Sequence, residues 1–517
     1  MKKPLNPLGS SLKQRLVADG VKKNEPEDQL INVANVGKVV TLAYEQLRNA
    51  AEYTQEHLLR QRAIRRFLVR NLSFHTKQKP DGSLAEELII ELTQAGYIDN
   101  DSLPVSVLPK LDTLIKKHYN NHWRMEPTAG RATSEEWTLD LMSVGVENLI
   151  ANDQKLKIYL YFAYEHYKDA VDKKRYASND KDTNFDVSLY IAVHRALLKS
   201  DLANVRYDLQ QLYKYSDKDA TAYATFHKNI STAFTSDLTN TLARFVDKHG
   251  APLRILKSMI EENRDLPKLL DNSDHFLSAF QAQVSHEYQS ASKRLNAVLI
   301  KSIVFLLITK TLLGLMVEIP YDLAVTGTIL IVPLLINLFA PIVYLLILRL
   351  GIKLPGQANT NALTKYIESA LYADKNQVRL YTKERESSYT AGFTIAYALM
   401  FIAAFGITLD RLLALEFNIL QIVLFFTFLA TASFLGFRLT HIIRELELVT
   451  AKAGVIHAIR DFLYMPFIVL GRWLSEEYKK VNLVALILDT AVELPLKTLL
   501  RLIRQWTNFI SDKKDAL

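Results

Sequence analysis

The chain has 517 residues, 49% of them hydrophobic and 10% aromatic, which is enough for a packed core and too apolar for a disordered or collagen-like polymer. It contains no cysteine, which excludes disulfide frameworks, thiolate zinc sites, iron–sulfur ligation and cysteine nucleophiles. The net charge of +8 is unevenly placed, since residues 291–517 hold 24 Lys and Arg against 17 Asp and Glu while residues 1–290 are close to neutral; such an excess beside apolar segments points to anionic lipid and away from nucleic acid.

Residues 1–27 are basic, lack an apolar stretch long enough for a signal peptide, and read as a flexible tail. Residues 28–290 read as a cytoplasmic helical domain. Residues 28–74 carry one long helical pattern that closes at the turn Lys79-Pro80-Asp81-Gly82-Ser83. Ser83 with Glu86, and Thr133 with Glu136, have the spacing of capping boxes. Helical periodicity continues over 104–120, 134–151, 154–172, 186–214, 219–249, 252–263 and from 273 onward, and no window alternates with period two. The expectation is an all-α bundle of about eight helices. The last of these meets no proline or glycine pair between Ser273 and Val317, so it runs into the first span as one rod.

Four stretches are long and apolar enough to cross a bilayer: 297–317, 323–348, 390–408 and 417–437. The connection Val317–Asp322 has two negative charges and no positive one, and Leu409–Glu416 has a single positive charge. The segment 349–389 between the second and third spans instead carries Arg349, Lys353, Lys365, Lys375, Arg379, Lys383 and Arg385, and Arg438, Arg444, Lys452 and Arg460 follow the fourth span. Basic segments stay in the cytoplasm, so the expected topology in the cell membrane is two hairpins with both termini inside. The transmembrane domain, residues 291–440, then includes 349–389 as a cytoplasmic helical loop.

Residues 441–517 read as cytoplasmic or interfacial amphipathic helices. The apolar run Phe462–Leu470 contains Pro466, precedes Gly471-Arg472-Trp473, and is too short to cross, so it is interfacial or re-entrant. Leu496, Leu499, Leu500, Ile503 and Ile510 recur at helical spacing with Lys497, Arg501 and Arg504 on the other faces. That pattern suits a basic helix on anionic inner-leaflet lipid, with a helix packed on the domain as the alternative.

Within the first span lie Lys301 and Lys310, and Asn337 falls at nearly the depth of Lys301 between Pro333 and Pro341. Intramembrane ionisable groups mark functional sites by default, so these three residues form the candidate polar site, with snorkelling and interhelical bonding as the alternative. Asp180, Asp182, Asn184 and Asp186 begin like a calcium loop, but Phe185 and Ile191 occupy the positions that need Gly and Glu, which leaves a solvated loop with Asp186 capping the next helix. His118 and His122 have the spacing of a metal pair at a helix end, without an acidic third ligand. Arg60, Arg62, Arg65, Arg66 and Arg70 read as a solvated basic face or a contact for acidic lipid or nucleic acid. Tyr159, Tyr161, Phe162, Tyr164 and Tyr167 read as core packing. No phosphate loop, dinucleotide fingerprint, nucleophile elbow or HExxH motif occurs, so neither a cofactor nor a metal nor a catalytic residue is nominated.

The tail from Asp461, with Phe467-Ile468-Val469-Leu470-Gly471-Arg472-Trp473-Leu474-Ser475 and Glu493-Leu494-Pro495-Leu496-Lys497, resembles the C-terminal segment of uncharacterised multi-pass membrane proteins of small-genome bacteria. The resemblance is confined to that tail and implies no activity. The sequence thus leads to a membrane-anchored interaction or assembly scaffold with a cytoplasmic protein partner, and oligomers are compatible with the small residues Gly392, Ala396, Ala404, Ala432 and Gly436 on the spans. The alternative is a channel or transporter, which requires Lys301 or Asn337 to face a wet cavity.

Overall fold

In a computed structural model the chain is all-α, and among the described residues the only extended pairing is an isolated bridge between Leu30 and Pro104. The described residues are 3–22, 29–33, 41–42, 45, 56–77, 82–151, 154–173, 184–213, 219–373, 391–449, 465–474, 502 and 506. The chain divides into two compact units, one made of residues 7–247 with 482–517 and the other of residues 1–6 with 248–481.

In the first unit the described helices are α1 (Pro7–Lys22), α2 (Glu56–Asn71), α3 (Leu84–Gln94), α4 (Val107–Ala129), α5 (Arg131–Ala151), α6 (Gln154–Ala170), α7 (Phe185–Val193), α8 (Leu202–Leu212), α9 (Ala220–Thr235) and α10 (Asp237–His249), whose last residues pass into the second unit. Helix α5 is central: α2, α4 and α8 pack on it, and it is buried nearly all round, from Ser134 and Trp137 to Ile150. A helix buried on every side has no polar stripe to show in its sequence.

Several boundaries differ from the sequence reading. The segment read as a tail contains α1, which buries Leu12 and Leu16 and packs on α6. Residues 29–33 are extended and pair with 100–105, so the long helix expected from 28 does not start there. The pattern over 186–214 breaks after α7 in a π-helical turn, His194–Leu198, followed by left-handed Lys199 and by Asp201, whose carboxylate caps α8. The pattern over 219–249 breaks at Ser236, whose hydroxyl accepts from Thr239 N. Neither expected capping box forms: Ser83 makes no cap bond, and Thr133 lies inside α5. Helix α7 is capped by Asn184, not by Asp186.

The second unit contains α11 (Ala251–Glu262), the short α12 (Leu266–Leu269), α13 (Ser273–Leu313), a π-helical turn (Gly314–Glu318), α14 (Ile319–Val325), α15 (Ile331–Gly351), α16 (Gln357–Tyr372), α17 (Ala391–Ala414), α18 (Ile419–Arg444) and α19 (Met465–Leu474). Four helical runs are long and apolar enough to cross a membrane, the run from α13 through α14, then α15, α17 and α18. The rod from Ser273 is continuous as expected. Its first half, with α11, packs against α16, so these helices belong with the spans and the division falls at Asp247 instead of 290.

Two short connections, 326–330 and 415–418, define what we call the hairpin end of the spans, and Gly327 turns the first of them with a positive φ of 72°. At the opposite end Asn359 of α16 donates to Tyr288 Oη and Leu446 O and accepts from Leu448 N and Val449 N. Ala432 and Gly436 let α18 approach α15 closely, and a Cβ on Gly436 would stand 2.7 Å from Leu348 Cδ2.

Candidate functional site

The site begins with a change of helical phase. In an unbroken α-helix, residues 310 and 318 would be about 80° apart round the axis. The π-helical turn Gly314–Glu318 accommodates one extra residue. Counted without it, Glu318 is seven positions from Lys310, two turns on the same stripe, and Asp322 follows one turn later. The turn sits just ahead of Pro320, which has no N–H to give to the carbonyl four residues back. All three charged side chains consequently face inward, with Lys310 3% exposed and Glu318 and Asp322 0%.

Lys310 Nζ donates to Glu318 Oε1 at 2.7 Å and lies 4.6 Å from the centre of the Phe428 ring. From α15, Asn337 Nδ2 donates to Glu318 Oε2 at 3.4 Å and to Gln421 O at 3.1 Å. Gln421 Nε2 donates to both oxygens of Asp322, at 3.2 and 3.0 Å, and Asn418 Nδ2 reaches Asp322 Oδ1 at 2.6 Å. Leu330 N completes the ring of donors to Asp322 at 3.2 Å. Asn418 and Gln421 also form a reciprocal capping box that opens α18. The result is a continuous polar network joining α13, α14, α15 and α18 at the hairpin end.

The sequence-predicted trio therefore splits. Lys310 and Asn337 belong to the network, and Asn337 is fully buried. Lys301 is exposed on α13 and takes no part in it. The sequence reading missed Glu318, Asp322, Asn418 and Gln421. It placed both carboxylates in the turn and began the second span at 323, whereas α14 continues to Val325 and α15 starts at Ile331. The available signal was Pro320, whose missing N–H disturbs a regular helix without requiring that the chain leave it.

Helix α19 settles at the level of the middle of α18. Phe467 stacks 4.9 Å from Phe405, and Gly471 lies so close to α18 that a Cβ there would be 2.0 Å from Ala430 O. Ala430 lies in the apolar middle of α18, so α19 packs against that part of the helix. Arg472 and Trp473 are exposed at its end. Lys497, Arg501 and Arg504 lie outside the described residues, as do Asp180 and Asp182; of that final stretch only Leu502 and Trp506 are described, both exposed.

In the first unit the basic cluster of α2 is neutralised internally. Arg60 pairs with Glu147 at 2.7 Å, Arg66 with Glu45 at 2.7 Å, Arg70 with Glu91, and Arg65 with Asp140, which also holds the fully buried Arg206. These four arginines form neither a solvated face nor a free phosphate-binding surface. His118 and His122 lie in the body of α4, not at its end; His122 Nδ1 is 3.0 Å from Ser134 Oγ, and no metal-holding group of three side chains occurs among the described residues. The tyrosines of α6 are core, with Tyr159 and Tyr167 fully buried and Arg15 lying 3.8 Å over the Tyr161 ring.

His194, in the π-helical turn, has Nδ1 3.3 Å from Ser200 Oγ and Nε2 3.6 Å from Asp208 Oδ2. Burial lowers His194 to about 3 and raises Asp208 to about 6. A base so weakened cannot activate Ser200 at neutral pH, so this trio is part of the packing. Burial likewise lowers His166 to about 4, and His227, packed against Trp137 and Tyr223, to about 3. No protein-family model, no curated protein and no solved structure matches the chain.

Proposed function

We propose that the chain is a membrane-anchored assembly scaffold, with the helical unit 7–247 on the cytoplasmic side as the recruiting part and the spans as a closed anchor. The observation that carries this reading is the 0% exposure of Glu318, Asp322, Asn337 and Gln421, each joined to a partner on another part of the bundle. A conducting path would wet at least one of them, and a transport site built on Lys301 would face a cavity instead of the outer surface of α13. The basic segments 349–389 and 438–460 support the inside placement of both termini and contact with anionic inner-leaflet lipid.

The test pairs a negative with a positive readout. Proteoliposomes carrying the full chain are expected to hold sodium, potassium and proton gradients as long as empty vesicles do; a leak abolished by Asn337→Leu would overturn the anchor reading in favour of transport. In cells, a photo-crosslinking residue at exposed Val69, Leu212 or Tyr213 is expected to give a discrete protein adduct. No adduct at any of the three would overturn the recruiting role.

A further inference from the structure

Helix α13 turns Leu295, Leu299 and Leu306 inward, and its opposite side is exposed. Lys293, Arg294 and Lys301 stand on that exposed side, toward the end of the spans away from the hairpins. Residues three and four apart are neighbours on a helix surface, with Cβ atoms about 5–6 Å apart. Lys293 and Arg294 therefore lie one turn before Ala297, and Lys301 lies one turn after it. The Cα–Cβ bond of a helical residue leans toward the helix N-terminus, which directs Lys301 back over Ala297. Ala297 is itself exposed, so its methyl group floors a shallow seat among three cations. A fourth comes from α15, where Arg349 Nε donates to Asn296 Oδ1 at 2.8 Å and so holds its guanidinium beside the seat. Arg349 also donates to Ile352 O, and none of the four meets a carboxylate among the described residues. Glu287, two turns before Arg294 on the same face, accepts instead from Gln283.

Toward the hairpin end the same face changes character. Ile300, Val304, Phe305 and Ile308 are exposed and apolar, on a helical run long enough to cross a bilayer. An unpaired charge among lipid-facing apolar side chains is unfavourable, and long basic side chains relieve it by reaching an aqueous or anionic level. Four cations at one level and bare apolar side chains beyond them suit one class of ligand in both of its halves, an anionic headgroup and its acyl chains.

We propose that this face of α13 is a binding site for one anionic phospholipid, with its phosphate over Ala297 among Lys293, Arg294, Lys301 and Arg349, and its chains along Val304 and Ile308. The headgroup must lack a cation of its own, as in phosphatidylglycerol, because choline or ethanolamine would bring a fifth positive charge to the seat. The proposal rests on the reading of α13 as a span and gives the anionic-lipid contact proposed above a defined place; it needs neither the recruiting role nor the closed anchor.

The chain has no cysteine, so Val304→Cys takes a single bimane label beside the expected acyl chains, and Ile402→Cys does the same on α17, both at exposed positions. The labelled full chain is reconstituted in phosphatidylcholine with increasing phosphatidylglycerol, one of the two lipids carrying dibrominated chains whose contact quenches the label. The quenching curves give a relative affinity for the anionic lipid at each position. The expected preference is about fivefold or more at residue 304 and close to none at residue 402. Lys301→Gln combined with Arg294→Gln abolishes the preference at 304, and Ala297→Phe, which keeps every charge but fills the seat, lowers it about twofold or more. An equal preference at 304 and 402, or one at 304 that survives both variants, shows only a diffuse attraction to a charged surface and overturns the proposal. Equal quenching by the two lipids at 304 overturns it as well. Should the double variant fail to reconstitute, Ala297→Phe decides alone. A label at 304 that neither lipid quenches refutes the reading of α13 as a span, and the lipid site with it.

Discussion

Replacing Lys310 by Met strands Glu318 without its ammonium inside the bundle. At the observed 2.7 Å the direct attraction is about 6 kcal/mol for an effective dielectric of about 20, and desolvation of both groups offsets much of it. What the single substitution forfeits is larger than the net worth of the pair, because the partner remains buried and charged; breaking such a pair costs about 3–5 kcal/mol. Glu318→Gln strands Lys310 in the same way. The double substitution Lys310→Met with Glu318→Gln leaves two neutral side chains of similar volume and loses little more than hydrogen bonds, about 1 kcal/mol. Reversible unfolding in mixed dodecylmaltoside–SDS micelles, followed by far-ultraviolet circular dichroism, measures all four corners of the cycle. The expected coupling is at least about 3 kcal/mol in the rescuing direction. A double variant whose loss equals the sum of the singles within about 0.5 kcal/mol would show that Lys310 and Glu318 do not depend on each other, and the network as described would be refuted.

At the opposite end, Asn359→Ala removes two donated and two accepted bonds and is expected to cost about 2–4 kcal/mol, read in the same unfolding assay; no change would mean that the loop after α18 is held by other groups. Gly471→Ala places a methyl group 2.0 Å from Ala430 O, which rigid backbone cannot absorb, so α19 must leave its seat. With no native cysteine, Phe405→Cys and Phe467→Cys form a single pair that a short bismaleimide should link, and the link should disappear when Gly471→Ala is added. For the unit 7–247, the folded values of His166, His194 and His227, about 4, 3 and 3, lie below the unfolded value near 6.5, so their contribution is full above pH 6.5 and is lost as pH falls through it toward 4. Asp208, raised to about 6, acts in the opposite sense and adds stability on acidification. From pH 7 to 5 the three histidines lose about 6 kcal/mol and Asp208 returns about 1 kcal/mol, so hydrogen exchange in α5 and α6, corrected for intrinsic rate, should show a net loss of about 5 kcal/mol; undiminished protection would contradict it.

How much of this was legible in sequence depended on which physical signal carried it. Length and hydropathy placed four spans, because a bilayer imposes a minimum run of apolar residues that few other environments tolerate. Helical period placed most helices of the first unit. It failed where a side chain breaks the helix without Pro or Gly, as Asp201 and Ser236 do, since their role depends on which backbone N–H they meet. Charge content alone misled twice. Five arginines in α2 resemble a basic surface until the acids that meet four of them, from as far along the chain as Glu147, are brought alongside. Glu318 and Asp322 resemble a polar turn until the π-helical phase shift turns them inward toward Lys310 and α18. Lys310 and Asn337 were recognisable because apolar surroundings make a single polar residue conspicuous; their partners were not, because they sit at the margins of the spans where polar residues are ordinary.

The two polar fasteners bear on one helix. Asn418 and Gln421 tie the start of α18 to Asp322, and Asn359 ties the chain just beyond its end to α16 and Tyr288. Between them α18 packs along α13 and α15, with Gly436 pressed against Leu348. Helix α17 is different: its apolar window is the least buried of the four spans, with Ile395, Leu399, Ile402 and Ile407 exposed. Within the described residues the bundle is thus a pinned core of three spans with α17 on its flank, joined to α18 through Phe405 and Phe426. Rearrangement of the core would have to break hydrogen-bonded charges at one end and the four hydrogen bonds of the Asn359 amide at the other, whereas a shift of α17 would disturb mainly apolar contacts, for which lipid tails are an equivalent partner. That asymmetry sets α17, the least buried of the four spans, apart from the three that carry the polar network.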